Sequence, residues 1–262
     1  MKKSSILIIL LSGVFSLSMT AKQITTILFD VEAVFESDEW KASSYVGKLN
    51  GLSYIAQKGH KPKQEDLFKI LKPIKAISTE HTYNNNLEMP LILCDWLAQT
   101  QNNSKLKDII NKYLVNKNIL DIEIKVFIAI ISMMLTPQHL ANIQKVRSKI
   151  ETILKTLRQK GYKLYLVGNW AHINSLKEQF GDIFKYFNDS IMSGDTHLLK
   201  PSQAYYQDVL EKNNIEASQA IWIETEQKFA SKAKHYGYNV ILASEKNYNS
   251  VITGLKNFGI II

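Results

Sequence analysis

The sequence predicts an α/β protein: a parallel sheet flanked by helices, interrupted early by an all-helical insert. Three observations carry this prediction. Ile24–Phe29 is a short apolar run of β type that ends in two carboxylates, Asp30 and Glu32. From about Phe35 to Thr136 the apolar residues recur at spacings of three and four, with no convincing strand among them. From Lys163 onward, short apolar runs alternate with helical stretches, the pattern of a parallel sheet wrapped by helices.

Taken in order, the chain opens on Lys2 and Lys3, followed by the apolar run Ile6–Leu11 with Val14 and Phe15. This reads as a secretory signal peptide over residues 1–21, and the run is too short for a comfortable membrane-spanning helix. Export to the periplasm or beyond is the expectation, with retention as an N-terminal membrane anchor as the alternative. After the first strand, periodicity predicts helices over Trp40–Ala56, Gln64–Ile77, Leu87–Thr100, Ser104–Val115 and Leu120–Leu135. Thr136-Pro137 reads as a helix start. One long helix is then predicted over Gln138–Lys160, with Leu140, Ile143, Val146, Ile150, Ile153, Leu154 and Leu157 on one stripe and Gly161 as its stop. Strands are predicted at Lys163–Val167, Ser190–Met192, Ala220–Ile223 and Asn239–Ala243, with helices at Ser202–Lys212 and Phe229–Tyr236 between them. The division that results is a core of residues 22–36 and 137–262 and a helical insert of residues 37–136.

Composition bounds the function. The chain has 262 residues, 45% of them hydrophobic, enough for a sizeable core. Its net charge is +8, or +6 without Lys2 and Lys3. The lysines are scattered and often stand beside acids, with no basic block interleaved with aromatics. No nucleic-acid partner is expected, and the charge suits anionic ligands instead. The single cysteine, Cys94, excludes an intrachain disulfide. It lies in an apolar helical run and reads as a buried small hydrophobe. The six histidines show no metal-type pairing, and there is no phosphate-loop or nucleophile-elbow motif.

The chemistry gathers at strand ends. Alternation along a strand would aim Asp30 and Glu32 into the same space beyond its carboxyl edge, where open α/β sheets bind ligands. Alone, the pair also reads as a solvated acidic turn. Two later strands end in polar groups as well, Gly168-Asn169 and Glu224-Thr225, with Lys200-Pro201 between them.

This order of motifs resembles the haloacid dehalogenase superfamily, over nearly all of Ile24–Ala243. The most specific stretches are Gly161–Trp170, Ser193–Pro201 and Ala220–Glu224. The resemblance implies a Rossmann-like core with a helical cap inserted after the first motif. It implies Asp30 as a nucleophile that becomes an aspartyl phosphate, which would split hydrolysis into two easier steps. Glu32 would protonate the leaving alcohol and later activate water, and its main-chain carbonyl would face a metal ion. Lys200 would hold Asp30 and the phosphoryl oxygens as a fixed positive charge. Main-chain amides of Gly168 and Asn169 would contact phosphate. Asp30, Glu32 and Glu224 would hold Mg²⁺, a hard cation suited to oxygen ligands.

The chain also departs from the family pattern at three places. Glu32 stands where the family has Asp, and the extra methylene moves the carboxyl by about 1 Å, a displacement that costs on the order of 10²-fold in rate. Gly168 replaces a Ser or Thr whose hydroxyl binds phosphate. Glu224-Thr225 replaces a pair of aspartates. The resulting expectation is an exported, Mg²⁺-dependent phosphatase acting on a small phosphorylated molecule. The alternative is a weakened or inactive member kept for binding. A dehalogenase would also use an Asp nucleophile, but nothing in the sequence points to one. Substrate and oligomeric state are not written in these motifs.

Overall fold

The computed structural model describes residues 23–77, 89–244 and 248–262. The expected signal peptide and the first residues of the helix predicted at Leu87–Thr100 lie outside the described residues. The elements run β1 (Thr26–Asp30), α1 (Val31–Val34), β2 (Phe35–Ser37), α2 (Glu39–Val46), α3 (Lys48–Lys58), α4 (Gln64–Leu71), α5 (Leu91–Leu97), α6 (Asn103–Val115), α7 (Asp121–Met134), α8 (Pro137–Asn142) and β3 (Gln144–Val146). They continue with α9 (Ile150–Gln159), β4 (Lys163–Gly168), α10 (Ile173–Gln179), α11 (Gly181–Phe184), β5 (Asp189–Met192), α12 (Ser193–Thr196), α13 (Gln203–Asn213), β6 (Ala220–Glu224), α14 (Gln227–His235), β7 (Asn239–Leu242) and α15 (Asn249–Asn257).

The main sheet has five parallel strands in the order β5-β4-β1-β6-β7. β1 is central and every one of its residues is buried. Parallel strands covered on both faces read as continuous apolar runs, which is why Ile27-Leu28-Phe29 shows no alternation of polarity. Ile27 and Phe29 pack against α9 and α15 through Ile153, Leu157 and Val251. Leu28 faces a second, aromatic layer of Tyr205, Tyr206, Trp222 and Tyr238. Register places Asp30 beside Val167 and Phe29 beside Ile223. The carboxyl edge therefore brings Asp30, Gly168 and Glu224 to one level.

Three expectations fail in instructive ways. The predicted helix Gln138–Lys160 is three elements: α8, the short strand β3 and α9. β3 pairs antiparallel with β2, a strand inside the stretch read as strand-free. Three-residue strands leave too little period to separate from a helical stripe. The predicted helix Trp40–Ala56 is broken at Gly47, whose φ of +81° separates α2 from α3.

The chain leaves the core through β2 and returns through β3, so α2–α8 form a helical body between the two strands. Its own core includes Tyr54, Leu67, Leu93, Leu106, Phe127 and Ile131. Three hydrogen bonds tie it to loops at the sheet's carboxyl edge. Ser193 Oγ donates to the Leu97 carbonyl at 2.7 Å, and His197 Nδ1 meets the Ala98 carbonyl at 2.7 Å. Asn103 Nδ2 meets His172 Nε2 at 2.8 Å. Gly194 makes this junction possible, because a Cβ there would lie 1.9 Å from the Ala171 carbonyl oxygen. No helix among the described residues is long and apolar enough to cross a membrane.

Candidate active site

β1 ends at Asp30, and the chain does not stay extended beyond it. Asp30 instead caps the single turn α1, its Oδ1 accepting from the Glu32 amide at 2.9 Å. Strand alternation therefore does not relate Asp30 to Glu32; a helix cap does. Asp30 is buried, while Glu32 opens into the cleft above.

Lys200, brought in by the loop after α12, is 2% exposed. Its ammonium donates to Asp30 Oδ2 and, at 2.8 Å, to Glu224 Oε2. It also lies 4.6 Å from the centre of the Phe229 ring, a cation–π contact. Asn169 fixes the lysine's backbone from both sides: its Oδ1 accepts from the Lys200 amide at 2.8 Å, and its Nδ2 donates to the Lys200 carbonyl at 3.1 Å. One ammonium thus serves two buried carboxylates. Removal from water, then the neighbouring Glu224 charge, pushes the Asp30 carboxyl up to about 8 against the pull of Lys200. Burial works against the Lys200 charge as well, but Asp30 and Glu224 hold the ammonium well above its ordinary range. Although Glu32 opens to the cleft, its crowded walls desolvate the carboxyl and raise it; Lys200 opposes this, and Glu226 and Glu224 add to it. Thr225 Oγ1 donates to Glu32 Oε2 at 3.2 Å.

The oxygens that the resemblance assigns to Mg²⁺ are already engaged. Glu224 was expected as a ligand but is a partner of Lys200, and its Oε1 accepts from the amides of Thr225 at 2.9 Å and Glu226 at 3.4 Å. The Glu32 carbonyl accepts from Arg147 Nε at 2.7 Å. Among the described residues, no three His, Cys, Asp or Glu side chains converge on a point that could hold a metal. The residues present do not fit a divalent ion.

The Gly168 amide, expected to contact phosphate, is engaged elsewhere. It donates to the Tyr205 hydroxyl at 2.7 Å, beneath the cleft floor. Asn169 does line the cleft, and of that expected pair it alone does. The cleft has a volume of about 1130 Å³ between the helical body and the sheet edge. Asp30, Glu32, Lys200 and Phe229 form its floor, and Lys63, Lys69, Lys72, Phe68, Trp96 and Met134 come from the helical body.

Two functional neighbours escaped the sequence reading. Tyr205 sits on α13, and its hydroxyl, which donates to the Ile191 carbonyl at 2.8 Å, joins β4 to β5. Arg147 is one of only two arginines in a chain whose usual cation is lysine. That choice was a legible signal, since guanidinium geometry is not interchangeable with ammonium.

A central buried Asp at the carboxyl edge of a parallel sheet, paired with a Lys and roofed by a helical insert, defines a hydrolase-type α/β fold. The family model described as haloacid dehalogenase-like hydrolase matches residues 95–243. The chain belongs to that family. No protein of curated description matches it. Among solved structures it is similar to a HAD-family enzyme from Bacteroides thetaiotaomicron, at 13% identity and a TM-score of 0.57, over 88% of this chain and 99% of that one. That enzyme has also been seen in complex with magnesium and inorganic phosphate. A predicted HAD-like hydrolase from Porphyromonas gingivalis aligns at 12% identity and a TM-score of 0.55, over 90% and 98% of the two chains. A predicted phosphoglycolate phosphatase from Haemophilus somnus aligns at 17% identity and a TM-score of 0.50, over 85% and 86%. At these identities the likeness is one of fold.

Proposed function

We propose that this chain is an exported hydrolase that cleaves a small phosphorylated molecule in the cleft under its helical body, with Asp30 as nucleophile. The observation that carries this reading is the Asp30–Lys200 pair in the cleft floor. Ionised Asp30 attacks phosphorus, the ester oxygen leaves with a proton from Glu32, and an aspartyl phosphate remains. Water then attacks phosphorus as Glu32 takes its proton, which releases phosphate and restores Asp30. Lys200 steadies the charge that grows on the phosphoryl oxygens. Among the described residues, Lys63, Lys69 and Lys72 outnumber the one acid, Glu65, on the opposite wall and favour an anionic substrate. The signal reading of residues 1–21 supports export.

A second reading, binding without turnover, is favoured by one observation. Removal from water and the Glu224 charge push the Asp30 carboxyl up to about 8, which favours its protonated form. A protonated carboxyl receives an anion more readily than it attacks one.

Hydrolysis of an aryl phosphate by the purified chain, beside Asp30→Asn, separates the two. Turnover lost in the variant supports the hydrolase. Phosphate binding by both proteins with turnover in neither would replace it with the binder.

A further inference from the structure

Arg147 is the unexpected charge at this site. It follows β3, and its side chain turns back across the flap that β3 makes with β2. Nε donates to the Glu32 carbonyl at 2.7 Å, and Nη1 donates to Glu36 Oε2 at 2.9 Å. The Arg147 side chain is 14% exposed, while Glu32 itself opens to the cleft. On the other side of Asp30, the Lys200 ammonium stands between Asp30 Oδ2 and Glu224 Oε2.

We infer that this site carries its own cations, the Arg147 guanidinium on the Glu32 carbonyl and the Lys200 ammonium between Asp30 and Glu224, and takes no divalent metal ion. A hard cation needs several oxygens whose lone pairs converge on one centre. Here each oxygen that would converge already accepts a hydrogen bond. Two of the donors carry full positive charge, and the guanidinium cannot lose its own. An ion placed against the Glu32 carbonyl would sit beside that charge. Thr225 supplies a neutral hydroxyl where the family pattern has an acid, and it spends that hydroxyl on Glu32 Oε2 at 3.2 Å. The lost acid and the Arg147 guanidinium thus act together on one segment, residues 30–32: one removes an attraction for a metal and the other adds a repulsion. This concerns metal loading and not turnover, so it stands apart from the hydrolase reading.

The test uses the full chain with Mn²⁺ followed by paramagnetic resonance, and Mg²⁺ followed by calorimetry and melting. The wild type is expected to leave Mn²⁺ free and to melt at the same temperature with and without Mg²⁺. A site with a Kd of about 0.1 mM would be about hundred-fold saturated at ~10 mM ion and would raise the melting temperature by several degrees. The double variant Arg147→Met with Thr225→Asp is expected to gain Mn²⁺ binding that Asp30→Asn then removes. The single variant Thr225→Asp guards against a flap that fails to fold, and it should gain weaker binding than the double variant. Stoichiometric Mn²⁺ binding by the wild type, lost in Asp30→Asn, would overturn the inference. So would folded single and double variants that both leave the ion free.

Discussion

Asp30 and Lys200 lie 170 residues apart in sequence and share a hydrogen bond in the buried floor of the cleft. Glu224 competes for the same ammonium at 2.8 Å, so two carboxylates divide one positive charge. That imbalance determines how the site responds to pH and to substitution.

Attack on phosphorus needs ionised Asp30, and its carboxyl is pushed up to about 8. The rate of aryl phosphate hydrolysis, as kcat/KM, is therefore expected to climb with pH toward that value, until Glu32 loses the proton it must donate. Glu32→Gln removes the proton donor and acceptor and should lower kcat by about 10²–10⁴-fold. A profile already flat from pH ~5 would show that Asp30 is not the group being titrated.

The same shift predicts how stability follows pH. An unfolded Asp releases its proton near 3.8, whereas the folded chain keeps it up to about 8. Between those values the folded state binds the extra proton, so stability falls as pH rises. The contribution is fully present below the unfolded value and is lost as pH passes through the folded one. Asp30→Asn has no proton to lose there. Melting temperatures of the two proteins should diverge from pH ~4 to pH ~8, with the wild type falling behind. A constant difference across that range would contradict the assignment.

Lys200→Met leaves Glu224 buried with no countercharge, beside an Asp30 carboxyl that keeps its proton up to about 8. Breaking a buried ion pair in this way costs about 3–5 kcal/mol. Denaturant unfolding should show that loss, and Glu224→Gln in the same background should recover part of it. Recovery is the informative arm, because a residue that only fills space would gain nothing from a neutralised neighbour.

Cys94 lies in the core of the helical body, and burial with the nearby Asp95 charge pushes its thiol up to about 12. It should resist alkylation in the native chain near neutral pH and react once the chain is unfolded in denaturant. Fast native alkylation would mean that the helical body opens readily.

Much of this arrangement was legible in the sequence because long apolar runs and ordered motifs survive without tertiary knowledge. The buried β1 and the ends of β4 and β6 announced the sheet and its edge. Asp30, Lys200 and Asn169 do meet at the cleft. The flap was not legible, since β2 and β3 have three residues each and β3 continues a helical stripe in apolar spacing. The contacts of Glu224 were not legible either. A carboxylate at a strand end looks the same whether it faces an open cleft or an ammonium from a distant loop. Arg147 reaches Glu32 only because the flap closes, so its role depended on the element that periodicity concealed.

Gly168 offers the sharpest test of whether the site has been rebuilt or only depleted. The family pattern places a hydroxyl residue there, and a simple loss should be repairable by Gly168→Ser. The geometry predicts otherwise. Gly168 has a φ of +149°, which L side chains rarely adopt. A Cβ there would lie 2.9 Å from Val31 Cγ1 and 3.0 Å from Asp30 Oδ2. Val31 is 2% exposed and opens the buried turn α1, so it has little room to withdraw. Strained backbone and overpacking each cost about 1–3 kcal/mol. Gly168→Ser is expected to lower stability by that order and to leave aryl phosphate turnover no higher than in the wild type. Unfolding curves and steady-state rates on the same preparation check both points. A serine variant of unchanged stability and raised turnover would mean that the space beside Asp30 is open, and that the site has only lost a hydroxyl.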